Sequence, residues 1–113
     1  MNNFSLQTKI KKLYYNKMSL KEVEKFVKGN HPHKYTAIMK DGKKVNFGHQ
    51  DYEHYKDSIP KNMGGGIWSH KDHKDKYRRE KYRKRHSGIL TKKGDSAYTV
   101  KYSPSWFSYN YLW

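Results

Sequence analysis

Hydrophobic residues recur with helical spacing near the start of the chain. In residues 4–17, Leu6, Ile10, Leu13 and Tyr14 fall on one face of a helix, and lysines surround the rest. The pattern predicts an amphipathic basic helix. Such a helix docks on its own domain, binds a membrane surface or occupies a groove in a partner, and the spacing leaves these alternatives open.

A second helical pattern follows in residues 18–29. Ser19 and Glu22 have the spacing of a capping box, and Gly29 supplies a stop. The apolar face consists of Leu20, Val23, Phe26 and Val27. We therefore predict a short helix whose role is packing, and we assign residues 1–30 to an N-terminal helical extension.

Strand-like runs then flank a turn signal in residues 34–48. Asp41-Gly42 is a dipeptide typical of a two-residue type I′ turn, so the pattern predicts a β-hairpin. With that loop, the apolar face carries Thr36, Ile38, Val45 and Phe47, and the other face carries Tyr35, Ala37 and Met39.

The connector at residues 49–68 has no regular pattern. Tyr52 and Tyr55 are expected to pin it to the domain, and Pro60 prevents a regular helix. The glycines at positions 64–66 predict a flexible joint. They lack the lysine and hydroxyl residue of a phosphate-binding loop, so they do not predict nucleotide binding of that kind.

One basic helix is predicted from Ser69 to Gly88. Ser69 would be the N-cap, Asp72 stands where a capping box has a carboxylate, and Gly88 would form a left-handed C-cap. The residues predicted to bind an anionic partner are Lys71, Lys74, Arg78, Arg79, Lys81, Arg83, Lys84 and Arg85.

A stripe of Asp75, Arg79, Tyr82 and His86 runs along this predicted helix at positions i, i+4, i+7 and i+11. No aliphatic residue occurs between Ser69 and Gly88. The stripe must therefore dock through rings and hydrogen bonds, and we interpret it as structural. It could lie against its own fold, an acidic protein surface or a phosphate backbone.

Near its end, the sequence has apolar or aromatic residues at alternate positions and then becomes rich in aromatic residues. Residues 97–102 predict a third strand, and Ser103-Pro104 opens a short helix with proline at its first position. The candidate aromatic anchor consists of Trp106, Phe107, Tyr109, Tyr111 and Trp113. These rings either fold back to complete the core or form an exposed patch for a partner.

Together these elements predict a small single domain of the α+β class. It has N-terminal helices, a β-hairpin plus a third short strand, one central basic helix and a short aromatic C-terminal helix, with residues 31–113 as the basic domain. The 113 residues allow one modest core. Hydrophobic residues make up only 34% and aromatic residues 16%, so we expect a core of rings.

The charge balance indicates an anionic partner. Lys and Arg number 25 against 10 Asp and Glu, a formal charge of +15 that favours nucleic acid, acidic protein surfaces or anionic membranes. No apolar run approaches the roughly 18 residues of a membrane-spanning helix, and the start lacks the apolar segment of a signal peptide. The absence of cysteine excludes disulfides and thiolate chemistry.

Catalytic chemistry finds little support in the sequence. The best candidate metal group is His70, Asp72, His73 and Asp75, and these residues are equally explained as caps and as a solvated face. We recognise no motif for a nucleophile or a paired acid and base. The expectation is a protein that is not an enzyme, with no catalytic residue, cofactor or metal ion.

Several motifs occur in one order across residues 34–113. They are Phe47-Gly48, Asp51-Tyr52, His70-Lys71-Asp72, Asp75, Arg79, Tyr82, Arg85-His86 and the segment from Ser108 to Leu112-Trp113. This set resembles an uncharacterised family of small basic proteins from nucleocytoplasmic large DNA viruses, the phycodnaviruses and mimivirus relatives. The resemblance implies a context, the virion of a large DNA virus, rather than a mechanism.

In that context we expect a non-enzymatic virion structural protein. It would be a minor capsid or cement component, at the capsid or the capsid-core boundary, that binds acidic faces of other capsid proteins through its basic helix and aromatic tail. The alternative is a sequence-nonspecific binder of viral DNA or RNA, in which Lys and Arg contact phosphates.

Overall fold

The computed structural model describes residues 20–113, which form an antiparallel three-stranded sheet covered by helical elements. The strands are β1 (Val23–Lys28), β2 (Tyr35–Met39) and β3 (Lys44–Phe47), in the order β1-β2-β3. The helices are α1 (Lys76–Ser87) and α2 (Pro104–Tyr111), with short 3₁₀ turns at Lys61–Met63, Ser69–Lys71 and Ala97–Thr99. The predicted small α+β domain is confirmed.

The predicted helix over residues 18–29 is wrong, because Val23–Lys28 is strand β1. Val23 pairs with Met39 but Lys25 pairs with Ile38, so one extra residue bulges out between them. A bulge of this kind shifts the side-chain alternation by one position. Val23 and Phe26 are therefore buried on one face, a spacing of three that imitates a helix.

Strand β1 also moves the predicted domain boundary. Because β1 pairs with β2, residues 23–28 are part of the α+β domain and not of an extension that ends at residue 30. The predicted helix over residues 4–17 lies outside the described residues, as does the N-cap predicted at Ser19.

The predicted hairpin is confirmed, but its register differs by one residue. The amide of Gly42 donates to the Met39 oxygen at 2.9 Å, and the amide of Met39 donates to the Lys43 oxygen at 2.8 Å. The loop therefore has three residues and ends in Gly42, whose φ is +88°. Tyr35 then pairs with Phe47, and Ala37 with Val45. The buried face of β2 consists of Tyr35, Ala37 and Met39, so the predicted apolar face with Thr36 and Ile38 is wrong.

The aromatic C-terminal helix folds back and completes the core, which is one of the two predicted alternatives. Helix α2 begins with Ser103 as N-cap, whose hydroxyl accepts from the Trp106 amide, and with Pro104 at its first position. The ring of Phe107 stacks on Phe47 at 4.9 Å and meets the edge of Phe26 at 5.7 Å. Helix α2 thereby packs on the sheet.

The glycine segment is a close-packing site and not an open joint. A Cβ atom on Gly64 would lie 2.0 Å from the Phe26 oxygen, and one on Gly65 would lie 2.0 Å from the Ile59 oxygen. The backbone can approach β1 this closely only without side chains. Of the two tyrosines predicted to pin the connector, Tyr55 is half-buried but Tyr52 is 66% exposed.

The predicted third strand at residues 97–102 is wrong. Ala97–Thr99 is a 3₁₀ turn, and Tyr102 has a left-handed φ of 68°. The alternating rings pack against α2 instead of entering the sheet, since Tyr98 stacks on Tyr109 at 4.3 Å and Tyr102 meets Trp106 at 5.3 Å. The third strand of the sheet is β1.

Candidate anion-binding surface

The basic helix begins six residues later than the predicted N-cap at Ser69 implies. Asp75 is the N-cap of α1, and its carboxylate accepts from the amides of Tyr77 at 2.9 Å and Arg78 at 3.2 Å. Before it, the amides of His73 and Lys74 donate to connector oxygens at 2.9 and 3.0 Å. These tertiary hydrogen bonds keep residues 72–74 out of the helix. Gly88 is the C-cap as predicted, but with an ordinary φ of −84°.

The inner side of α1 docks through the predicted stripe. The Tyr82 ring stacks on Trp113 at 4.1 Å and on His86 at 4.8 Å, while the guanidinium of Arg79 lies 4.3 Å from the Tyr55 ring. Burial raises the pKa of Tyr82 to about 12. Arg79, Tyr82 and His86 therefore face their own fold, while Asp75 serves as the cap.

Arg83 belongs to the inner side as well. Its guanidinium lies 4.9 Å from the Tyr109 ring and donates to the Trp113 oxygen at 2.9 Å. Arg79 and Arg83 were both predicted to bind an anionic partner, and the structure instead uses them to hold α1 against the domain. The structure thus places these two side chains against the domain, and their binding to a partner stays a prediction.

The opposite side of α1 presents cations to solvent. We call it the outer face, and its exposed residues are Lys76, Tyr77, Arg78, Glu80, Lys81, Lys84 and Arg85, which are five cations, one carboxylate and one ring. Arg78 donates to Glu53 at 3.0 Å, a hydrogen bond that lowers the pKa of that carboxyl. Lys81 lies 4.8 Å from the Tyr77 ring, which is 65% exposed.

Two further predicted binding residues precede α1. Lys74 is exposed, and Lys71 is half-buried. Beyond the other end of the helix, Ile89 and Leu90 are 48% and 61% exposed. The cationic outer face thus ends beside an exposed apolar pair.

The aromatic anchor residues are largely unavailable to a partner. Trp106, Phe107 and Tyr111 are each at most 4% exposed, because they form the core with the sheet. Tyr109 and Trp113 are half-buried and stack on Tyr98 and Tyr82. The three buried rings therefore form the core, and the anchoring of this tail between subunits stays a prediction.

The residues of the candidate metal group have separate structural roles. His70 stacks on Trp68 at 5.5 Å, His73 Nδ1 accepts from the Asp75 amide at 2.8 Å, and Asp75 itself caps α1. Within residues 20–113, no three His, Cys, Asp or Glu side chains are placed to hold a metal ion.

Asp72 takes part in a buried polar chain that the sequence pattern does not reveal. Lys34, only 2% exposed, donates from Nζ to the Tyr52 oxygen at 2.6 Å and contacts His54 Nδ1 at 2.8 Å. His54 Nε2 contacts Asp72 Oδ1 at 2.6 Å. The chain is satisfied when Nε2 carries the His54 proton, because Nδ1 then accepts from lysine and Nε2 donates to the carboxylate.

Burial changes the pKa values of two members of this hydrogen-bonded series, Lys34 and His54. It lowers the pKa of Lys34 to about 8, with a further lowering from the nearby charge of Lys71. It also lowers the pKa of His54, and the Lys34 charge acts in the same direction. No local sequence signal marks Lys34, because its burial depends on residues 18 to 38 positions away.

A pocket of about 430 Å³ opens between this lysine and α1. Its lining residues are Lys34, Gly48, His49, Tyr52, Glu53, Arg78, Tyr82, Arg85, Ser108, Leu112 and Trp113. The pocket therefore combines a buried lysine, two helix arginines, one carboxylate and four rings, one of them the His49 imidazole.

Comparisons with protein-family models, with curated proteins and with solved structures give no match. In the described part of the chain, no helix has the length and apolar character needed to cross a bilayer.

Proposed function

We propose that the protein is non-enzymatic and binds an acidic partner surface through the outer face of α1. The proposal is based on one observation, that the cations of this helix are divided between a side that packs on the domain and a side that faces solvent. Arg79 and Arg83 bind rings and backbone of the domain, whereas Lys76, Lys81 and Lys84 project into solvent. A helix fixed in this way presents its charges without first having to be ordered.

The viral resemblance gives this binding a context. We propose a minor capsid or cement component in the virion of a large DNA virus, located at the capsid or the capsid-core boundary, whose partners are acidic faces of other capsid proteins. The exposed Ile89 and Leu90 beside the outer face support a protein partner, because apolar contacts next to complementary charges suit protein interfaces.

The test compares two charge reversals of equal size. Lys76→Glu, Lys81→Glu and Lys84→Glu together alter the outer face, while Lys40→Glu, Lys43→Glu and Lys44→Glu together alter the exposed hairpin end. Each protein is added to capsids freed of the genome-bearing core, and the bound fraction is measured. The helix variant should lose binding by at least about tenfold and the hairpin variant should retain it. Equal losses of binding in the two variants would mean that the net charge of the protein, and not the position of its charges, determines binding.

Nucleic-acid binding is the second candidate, and one observation favours it. Tyr77 is exposed on the outer face with Lys81 over its ring, and rings combined with cations suit both bases and phosphates. In this case the protein would package viral DNA or RNA without sequence specificity. It should then bind duplex DNA with a steep salt dependence, and the helix variant should reduce the slope of log K against log salt by about 3. A protein that stays with capsids and shows no DNA retention at low salt contradicts this candidate.

A further inference from the structure

The pocket beside α1 contains a lysine with unused hydrogen-bonding capacity. An ammonium group has three N–H donors, and Lys34 uses one on the Tyr52 oxygen and one on His54 Nδ1. Within residues 20–113 no third acceptor is bonded to Nζ. A buried cation that lines a cavity with one donor left over can bind an anion there.

The helix side of the pocket adds two arginines. Arg78 and Arg85 are seven residues apart, so they lie on the same side of α1 about 10 Å apart along its axis. Arg78 is paired with Glu53 at 3.0 Å. In the described chain, no carboxylate or other acceptor bonds the guanidinium of Arg85. Arg85 is therefore the rim cation that can bind an incoming anion without breaking an ion pair.

The remaining walls are largely apolar and aromatic, with His49, Ser108 and the carboxylate of Glu53, which is paired with Arg78, as their polar groups. Tyr52, Tyr82 and Trp113 line the pocket together with Leu112. A volume of about 430 Å³ lies within the usual range for small-ligand sites, which combine apolar walls with a few placed polar groups. The walls suit a flat ring, and the two cations suit a group that carries at least one negative charge.

We propose that this pocket binds a small aromatic phosphate ester, of which a nucleoside monophosphate is the simplest biological example. The phosphate lies between Lys34 and Arg85, and the ring lies against the aromatic walls. A tetrahedral phosphate offers three terminal oxygens, so it can accept from both cations at once. This site shares Arg78 and Arg85 with the outer face, but Lys76, Lys81 and Lys84 do not line it. The proposal for the pocket therefore does not depend on the docking of a large acidic partner.

Binding should be coupled to proton uptake. The pKa of Lys34 is lowered to about 8 by burial and by Lys71. The other groups that face it are Asp57, Asp72 and Glu53, which raise its pKa, and His54. A phosphate in the pocket adds a negative charge and raises the pKa of Lys34, so at pH 8 binding should take up about half a proton. The affinity should fall as the pH rises from 7 to 9.

Isothermal titration calorimetry with adenosine monophosphate at pH 8 tests the proposal. Repeating the titration in buffers of different ionisation enthalpy measures the proton uptake. Arg85→Gln should weaken binding by at least about tenfold, since it removes one charge-assisted contact. Lys93→Gln removes one exposed positive charge away from the pocket and should change the affinity by less than about twofold.

Further ligands identify the chemistry that is bound. Inorganic phosphate should bind more weakly than adenosine monophosphate because it lacks the ring, and benzoate should bind more weakly because it lacks the phosphate. Absence of binding at millimolar adenosine monophosphate overturns the proposal, as do equal losses in the Arg85→Gln and Lys93→Gln variants. Equal affinity for benzoate overturns the phosphate assignment. Binding without proton uptake overturns the role of Lys34, and this readout needs no Lys34 variant that could fail to fold.

Discussion

The ring of Tyr82 lies parallel to the indole of Trp113, with 4.1 Å between their centroids and 6° between their planes. This contact joins the basic helix α1 to the residues that follow helix α2. Because the inner side of α1 is attached by rings and by Arg79 and Arg83, its outer side is left to cations. The same stack forms part of the pocket wall.

Replacing Tyr82 should destabilise the domain. Tyr82→Ala removes a stack with two neighbouring rings and should lower the free energy of unfolding by about 2 to 4 kcal/mol. Urea denaturation followed by circular dichroism measures the change. Tyr77→Ala is the matched control on the exposed side of α1 and should change it by less than about 0.5 kcal/mol. Similar effects of both substitutions would mean that the stack does not attach the helix.

Removing the N-cap of α1 should cost about 1 kcal/mol of unfolding free energy. Asp75→Ala leaves the amides of Tyr77 and Arg78 without their side-chain acceptor. Asp75→Asn keeps an acceptor oxygen and should retain most of the stability, as thermal or urea unfolding can measure. If the asparagine variant is as unstable as the alanine variant, the capping hydrogen bonds are not what Asp75 contributes.

A side chain at Gly65 should be poorly tolerated. Gly65→Ala places a Cβ atom 2.0 Å from the Ile59 oxygen, so the connector must move, and we expect a loss of about 3 kcal/mol or more. Gly88→Ala is the control, because its Cβ would lie at an ordinary 3.4 Å from the Arg85 oxygen. That variant should stay within about 1 kcal/mol of the parent. A stable, soluble Gly65→Ala protein would refute the close packing.

Stability should fall as the pH drops below about 6.5. Burial lowers the pKa values of His54, His73 and His86 from an ordinary value of 6.5, so the unfolded chain binds protons that the folded chain excludes. Protonation therefore favours the unfolded state as the pH falls from 6.5 toward the folded pKa values. Urea denaturation between pH 7.5 and 5 measures this trend.

The contribution of His54 can be separated from that of the other two histidines. His54→Gln keeps an acceptor for Lys34 and a donor for Asp72 but does not titrate, so it should reduce the slope of stability against pH. A parent protein whose stability is constant from pH 7.5 to 5 would contradict the buried histidine environments.

Local patterns correctly predicted the elements that depend on neighbouring residues. The hairpin follows from Asp41-Gly42 between two strand-like runs, and α2 follows from Ser103-Pro104 before a ring-rich segment. The end of α1 at Gly88 and its inner stripe of Arg79, Tyr82 and His86 were predicted because capping and helical spacing act over only a few residues.

The tertiary structure decided the features that depend on distant pairing. The bulge before Lys25 becomes visible only once β1 is aligned with β2, and without it Val23 and Phe26 have the spacing of a helix. Likewise, α1 starts at Lys76 because connector oxygens bind the amides of the preceding segment. These hydrogen bonds prevent an α-helix from starting at Ser69, although the local sequence there has a capping pattern.

The sequence by itself determined the α+β class, the reliance on rings for a core and the strong positive charge, because these follow from composition and short-range spacing. Only the tertiary structure determined which cations face inward and which face solvent. It also determined that Lys34 is buried beside His54, at the edge of a pocket. Burial depends on what the rest of the chain places around a residue, and no short stretch of sequence contains that information.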